Sequence, residues 1–154
     1  IKKAKTTTEL TGILSLADDS GIEVDVLGGK PGIYSARYAG EGATDRANNE
    51  KLLRELKGVP YKKRTAHYRC SVAIVEPDGR TRVVRGECFG IIDTYPKGNT
   101  GFGYDPLFII PRYQKTVAEL GPRIKDRISH RAEAVHKARR IILRHIDRGR
   151  STLP

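Results

Sequence analysis

The apolar positions of this chain fall into short blocks separated by glycine-rich and charged stretches, and the spacing inside each block predicts its conformation. Residues 1–12, IKKAKTTTELTG, read as the tail of a helix closed by Gly12, because glycine readily takes the left-handed conformation after a last turn. An apolar run of strand length follows at 13–17 and ends in Asp18-Asp19-Ser20-Gly21, a turn composition. Ile22, Val24 and Val26 then alternate with Glu23 and Asp25, as in a half-buried strand. A glycine-rich loop comes next, and Thr44 caps a helix with Ala47, Leu52, Leu53 and Leu56 on one broad face, stopped by Gly58.

The second half repeats the logic. Ala66, Tyr68, Cys70, Val72 and Ile74 recur at period two, EPDG turns the chain at 76–79, and RTRVVRGECFGIID returns as strand. A loop, TYPKGNTGFGYDP, precedes the short strand LFII at 107–110. The last helix is predicted from an N-cap at Ser129 to about Ile146, before Gly149, with Ala132, Val135, Ala138, Ile142 and Ile146 near one face. No internal repeat or linker divides the chain, so the pattern predicts one mixed α/β domain over residues 1–154.

Composition narrows the partners. The 154 residues suffice for a real core, and the formal charge of +11 favours a polyanion: a nucleotide, a nucleic acid or an acidic surface. A basic surface kept for solubility explains the same number. The aromatics lie in the glycine loop or the strands without a basic-aromatic stripe, which argues against nucleic acid. Arg139, Arg140, Arg144 and Arg148 read as a solvated helical face, and His67, His136 and His145 as structural or exposed. Cys70 and Cys88 have no metal-ligand spacing; buried reduced thiols suit a cytoplasmic protein. No apolar run is long enough for a transmembrane helix and no signal-peptide pattern opens the chain, so no membrane partner is expected.

Three segments carry candidate chemistry, each with a plainer alternative. In extended backbone Asp18 and Asp19 point to opposite sides, so one can serve magnesium while the other holds a loop; DDSG can equally be only a turn. In GNTGFGYDP three glycines bracket Phe102 and Tyr104, a loop that lets backbone approach a ligand and a ring stack on a base, or a tight connection with its aromatics in the core. In KDRISHR, Ser129, His130 and Arg131 fall at a helix start suited to an anion or carbonyl oxygen, or Ser129 is merely a cap.

Taken together, ADDSGIEVDVLGGKPGIYSARYAG, GFGYDPLF, KTVAEL and ISHRAEA resemble the inosine triphosphate pyrophosphatase family, in that family's order and over nearly the whole chain. The resemblance implies an elongated, two-lobed α/β fold with a mixed sheet and flanking helices, a homodimer, and magnesium-dependent hydrolysis of ITP, dITP or XTP to monophosphate and pyrophosphate. It implies that Asp19 is the proton acceptor and a metal ligand, with Asp18 as a second ligand. It implies substrate contacts at Lys3, Ser20, Phe102, Gly103, Tyr104, Asp105, Lys125, His130 and Arg131, with Phe102 stacking on the base. The family's phosphate-binding loop and metal-binding glutamate precede the helix in which Ile1 falls, so residues 1–154 align as an N-terminally incomplete domain. If nothing precedes Ile1, a non-catalytic purine-nucleotide-binding fragment is the alternative, with poor turnover and an open sheet edge.

Overall fold

In the computed structural model, which describes residues 1–150 and the side chains of 1–147, a six-stranded sheet is flanked by five helices. The elements run α1 (Lys2–Thr11), β1 (Ser15–Val24), β2 (Lys30–Gly32), α2 (Asp45–Glu55), β3 (Thr65–Val75) and β4 (Thr81–Ile92). They continue with β5 (Phe108–Ile110), β6 (Lys115–Thr116), α3 (Val117–Leu120), α4 (Pro122–Ile128) and α5 (His130–Arg150). The strand order is β2-β1-β3-β4-β5-β6. Each neighbouring pair is antiparallel, where the family resemblance implied a mixed sheet.

The largest departure from the sequence reading lies at Asp18-Asp19-Ser20-Gly21. Instead of turning the chain, these residues form the middle of β1, paired with Val72, Ser71, Cys70 and Arg69 of β3. The two short strands expected at 13–17 and 22–26 are therefore one, and Val26 falls in a single 3-10 turn, Asp25–Leu27. Pairing with a long central strand outweighs the local turn preference of Asp, Ser and Gly. Gly21 is needed for another reason: a side chain there would strike the carbonyl of Gly32, which packs against β1.

The caps agree with the sequence. Gly12 ends α1 at φ 69°, and the Thr44 hydroxyl accepts from the Ala47 amide. The EPDG turn closes through the Gly79 amide to the Glu76 carbonyl. Helices α3 and α4 were not anticipated; Thr116 and Glu119 form a capping box that starts α3, and Pro122 opens α4.

Residues opposite one another in an antiparallel pair share a face, so the register divides the sheet cleanly. One face carries Ile22, Val24, Ala66, Ile92 and Phe108 against Leu52 and Leu56 of α2, and Cys70, Val72 and Ile74 under Ala134 and Ala138 of α5. On the other face, Ala4 of α1 packs on Ala73 and Val75. The face of α5 expected to be buried is displaced: Ala134 and Ala138 are buried, whereas Val135 and Ile146 are exposed. Small residues are chosen because α5 lies directly on β4 at Gly86, where a side chain would meet the His130 carbonyl and the Ala134 amide. The helix also continues through Gly149 to Arg150, and the Arg148 side chain lies outside the described residues.

Gly86→Ala should therefore lift the first turns of α5 from β4. We expect a loss of about 1–3 kcal/mol in urea unfolding, as for other overpacked contacts. An unchanged midpoint would show that the helix has room to move.

Candidate active site

The alternation of β1 assigns its polar residues to two places. Asp18 and Ser20 share the face that carries α5, while Asp19 and Glu23 point to the α1 face. Arg131, the second residue of α5, reaches back across the sheet. Its Nε donates to Asp18 Oδ2 at 3.0 Å and its Nη2 to Ser20 Oγ at 3.3 Å. Ser129 caps α5 by accepting from the Ala132 amide, which fixes the direction in which His130 and Arg131 leave the helix.

His130 is buried and stacked on Tyr68 of β3, with ring centroids 4.7 Å apart and planes 9° from parallel. Burial, reinforced by the Arg131 and Lys125 cations and only partly opposed by Asp18, pushes its imidazole down to about 4. The ring is therefore neutral at physiological pH and can offer one donor and one acceptor. Beside it, Asp105 is almost wholly buried, accepts from the Phe102 amide at 2.9 Å and forms an ion pair with the Lys125 ammonium from α4. That ammonium also lies 3.9 Å from the centre of the Phe102 ring.

The glycine loop separates its two aromatics. Tyr104 belongs to the core and donates from its hydroxyl to the Ser35 carbonyl at 2.8 Å, whereas Phe102 is 60% exposed. The loop is thus both of the things its sequence allowed: one ring is packing, the other is free for a ligand.

A cavity of about 150 Å³ collects Ser20, Tyr68, Phe102, Asp105, Lys125, His130 and Arg131, together with Gly103 and Tyr104. A larger one of about 650 Å³ lies beyond Phe102, between the loop, α4 and the start of α5. A third, of about 110 Å³, holds Asp19, Glu23, Arg69 and Ser71 on the opposite face of the sheet. Ser20 and Gly21 line both the first and the third. Lys3 is exposed on the first turn of α1, on Asp19's side of the sheet, and lines none of these three cavities. Gly21, Ser35, Ala36, Asp45 and Tyr68 also line the first cavity and are not among the candidates the sequence offers, because their strand, loop and helix-start positions look structural.

The donor set limits what metal could sit here. Asp18 and Asp19 do not converge, and Asp18 is already paired with Arg131. Glu23 is held by Arg69 at 2.9 Å and His67 at 3.1 Å. Among the described residues no cluster of three ligating side chains exists and no ion pair engages Asp19. A cage made wholly by these residues does not fit; of the three carboxylates, Asp19 is the one outside an ion pair that could help to hold a hard cation.

Neither thiol is poised for chemistry. Cys70 and Cys88 are free, and burial raises both, Cys88 to about 11. Among the described residues no helix is long and apolar enough to cross a membrane.

Known proteins are similar to this chain in sequence and fold. A protein named dITP/XTP pyrophosphatase from Desulforamulus reducens is 56% identical over 144 residues, covering 94% of this chain and 72% of its own. One of the same name from Geobacter sulfurreducens is 51% identical over 135 residues, 88% of this chain and 68% of its own. The solved structure of the Staphylococcus aureus Ham1 protein superposes with a TM-score of 0.87 at 40% identity, over 93% of this chain and 73% of that one. Residues 1–141 match the Ham1 family as a whole. The family match over residues 1–141, the identity over most of both partners and the shared fold agree, and the chain belongs to the Ham1 family.

Proposed function

We propose that the chain hydrolyses non-canonical purine nucleoside triphosphates (dITP, XTP and ITP) to the monophosphate and pyrophosphate, at a cleft that bends around β1. The observation that carries this reading is the shared wall of Ser20 and Gly21. It puts the cavity of aromatic and donor side chains and the cavity holding Asp19 on either side of one strand. A nucleotide with its base beside Phe102 would pass its phosphates over Ser20 toward Asp19. The names of the relatives supply the substrate class.

Selectivity follows from the donors. Lys125 and Arg131 offer only N–H groups, and neutral His130 can add one, so a 6-oxo purine is rewarded. Adenine's amino group would leave them facing another donor, at about 1–3 kcal/mol per unpaired group. On the other face, Asp19 would accept the proton of the water that attacks the α-phosphorus as pyrophosphate departs. Lys3, from the same side of the sheet, would help to neutralise the triphosphate. Asp19 would also help to hold magnesium, which would supply further neutralisation of the triphosphate. Asp18 acts here through Arg131, as an orienting carboxylate. A homodimer and a cytoplasmic location belong to the same reading and rest on the family resemblance.

Incubation with ITP and magnesium should yield IMP and pyrophosphate, with little product from ATP. Asp19→Asn should lower turnover by about 100-fold or more, the usual scale for a general base. Orthophosphate in place of pyrophosphate, or a fully active variant, would overturn the assignment.

A pH dependence accompanies the buried His130. In the fold its pKa is about 4, below the ordinary 6.5 that it regains on unfolding. Between those values the unfolded chain binds more protons, so stability is full above the upper value and falls as pH drops through the window. On the order of 3 kcal/mol is at stake. Urea melts at about pH 7 and about pH 4.5 should differ accordingly, and His130→Gln should remove much of the difference. The same difference in the variant would assign it to other groups.

A further inference from the structure

The loop that carries Phe102 is held from outside by a pair of side chains that the base-reading residues do not include. Gly103, at φ +60°, has both backbone groups taken by α2. Its amide donates to Asp45 Oδ2 at 2.6 Å, and its carbonyl accepts from Asn49 Nδ2 at 2.8 Å. Asn49 Nδ2 also donates to the Asp45 carbonyl at 2.7 Å, which fixes the orientation of its amide. Its Oδ1 is buried without a partner, a cost retained where the side chain's donor is needed.

The same helix fastens the facing loop. Asn48, itself buried, accepts from the Ala39 amide at 2.7 Å and donates to the Ala36 carbonyl at 3.1 Å. That loop receives the Tyr104 hydroxyl at Ser35, so the two walls of the base cavity are tied to one another as well as to α2. Asp45 lines the cavity at the same point.

We infer that Asp45 and Asn49 are positioning residues for base recognition, holding Gly103 so that the neighbouring Phe102 ring stands at the height a purine requires. This rests on the function proposed above. The role is indirect: the contacts end on loop backbone, and the ring acts on the ligand. Asp45 is suited to it because a carboxylate bond to an amide is stronger than a neutral one, and because its place in the first turn of α2 already favours negative charge.

The test is binding of ITP with excess EDTA, by calorimetry, so that hydrolysis plays no part. Asp45→Ala should weaken binding about tenfold, the scale of one lost charge-assisted hydrogen bond. Asp45→Asn, which keeps an acceptor, should recover part of that loss. In a Phe102→Ala background, Asp45→Ala should add less than about twofold, because the residue acts through the ring. Fully additive effects would mean that Asp45 touches the nucleotide itself and would overturn the positioning role. Hydrogen exchange supplies a second readout: Asp45→Ala should expose the Gly103 amide while β1 and β3 stay protected. Loss of protection throughout the sheet would overturn the inference in favour of a folding role. A wild-type chain that binds no ITP would refute the proposed function. A wild-type chain that binds, beside an Asp45→Ala variant that binds equally, would refute this inference alone.

Discussion

Asp105, almost wholly buried, forms an ion pair with the partly exposed Lys125, and the cavity beside Phe102 is assembled around it. A buried pair of this kind contributes little net stability over an apolar pair, but breaking it strands a charge, at about 3–5 kcal/mol. It therefore acts as a constraint on geometry. The Asp105 carboxylate also gathers the Phe102 amide, and its carbonyl accepts from Ala118 at the start of α3. One residue thus binds the glycine loop, α3 and α4 into a single corner, leaving Phe102 as the part that faces solvent. The Lys125 ammonium that neutralises Asp105 remains over the Phe102 ring, so the group that stabilises the corner is also available to a ligand.

The strand β1 imposes the second constraint. Because successive side chains alternate, two adjacent aspartates must serve different faces. Asp18 orients Arg131 on the side of α5, and Asp19 lies on the side of α1 beside Glu23 and Arg69. A substrate able to use both faces has to be long and bent around the strand, with a flat, hydrogen-bonding end and a charged one. A nucleoside triphosphate has that form. The +11 charge, which by itself could have meant any polyanion, acquires a specific sense where Lys125 and Arg131 meet the cleft; much of the remainder is spread over exposed residues such as Lys137, Arg139 and Arg140 of α5.

Burial then tunes the chemistry of the groups so arranged. His130 is kept neutral by its burial against Tyr68 and by two neighbouring cations, so its ring carries one donor and one acceptor. The close approach of α5 to β4, possible because residue 86 is glycine, is what brings His130 and Arg131 down to the level of β1. Recognition and packing are in this respect the same set of contacts.

The sequence alone determined the α/β character, the caps at Gly12, Thr44 and Ser129, the β3–β4 hairpin, and the segments that hold the candidate site. Those features depend on local propensity and on motifs whose residues are near neighbours in the chain. It misjudged Asp18-Asp19-Ser20-Gly21 as a turn because turn preference is local, while the pairing that overrides it comes from the distant strand β3, with Val72 opposite Asp18 and Arg69 opposite Gly21. It misplaced the buried face of α5 because helical periodicity cannot foresee that a glycine at 86 demands alanines opposite. Only the tertiary structure decided that Asp18 pairs with Arg131 while Asp19 lies on the opposite face, that Phe102 is exposed while Tyr104 is not, and that Asp45 and Asn49 hold the loop between them. Each of these is a contact between distant segments, and no local pattern of residue types encodes it.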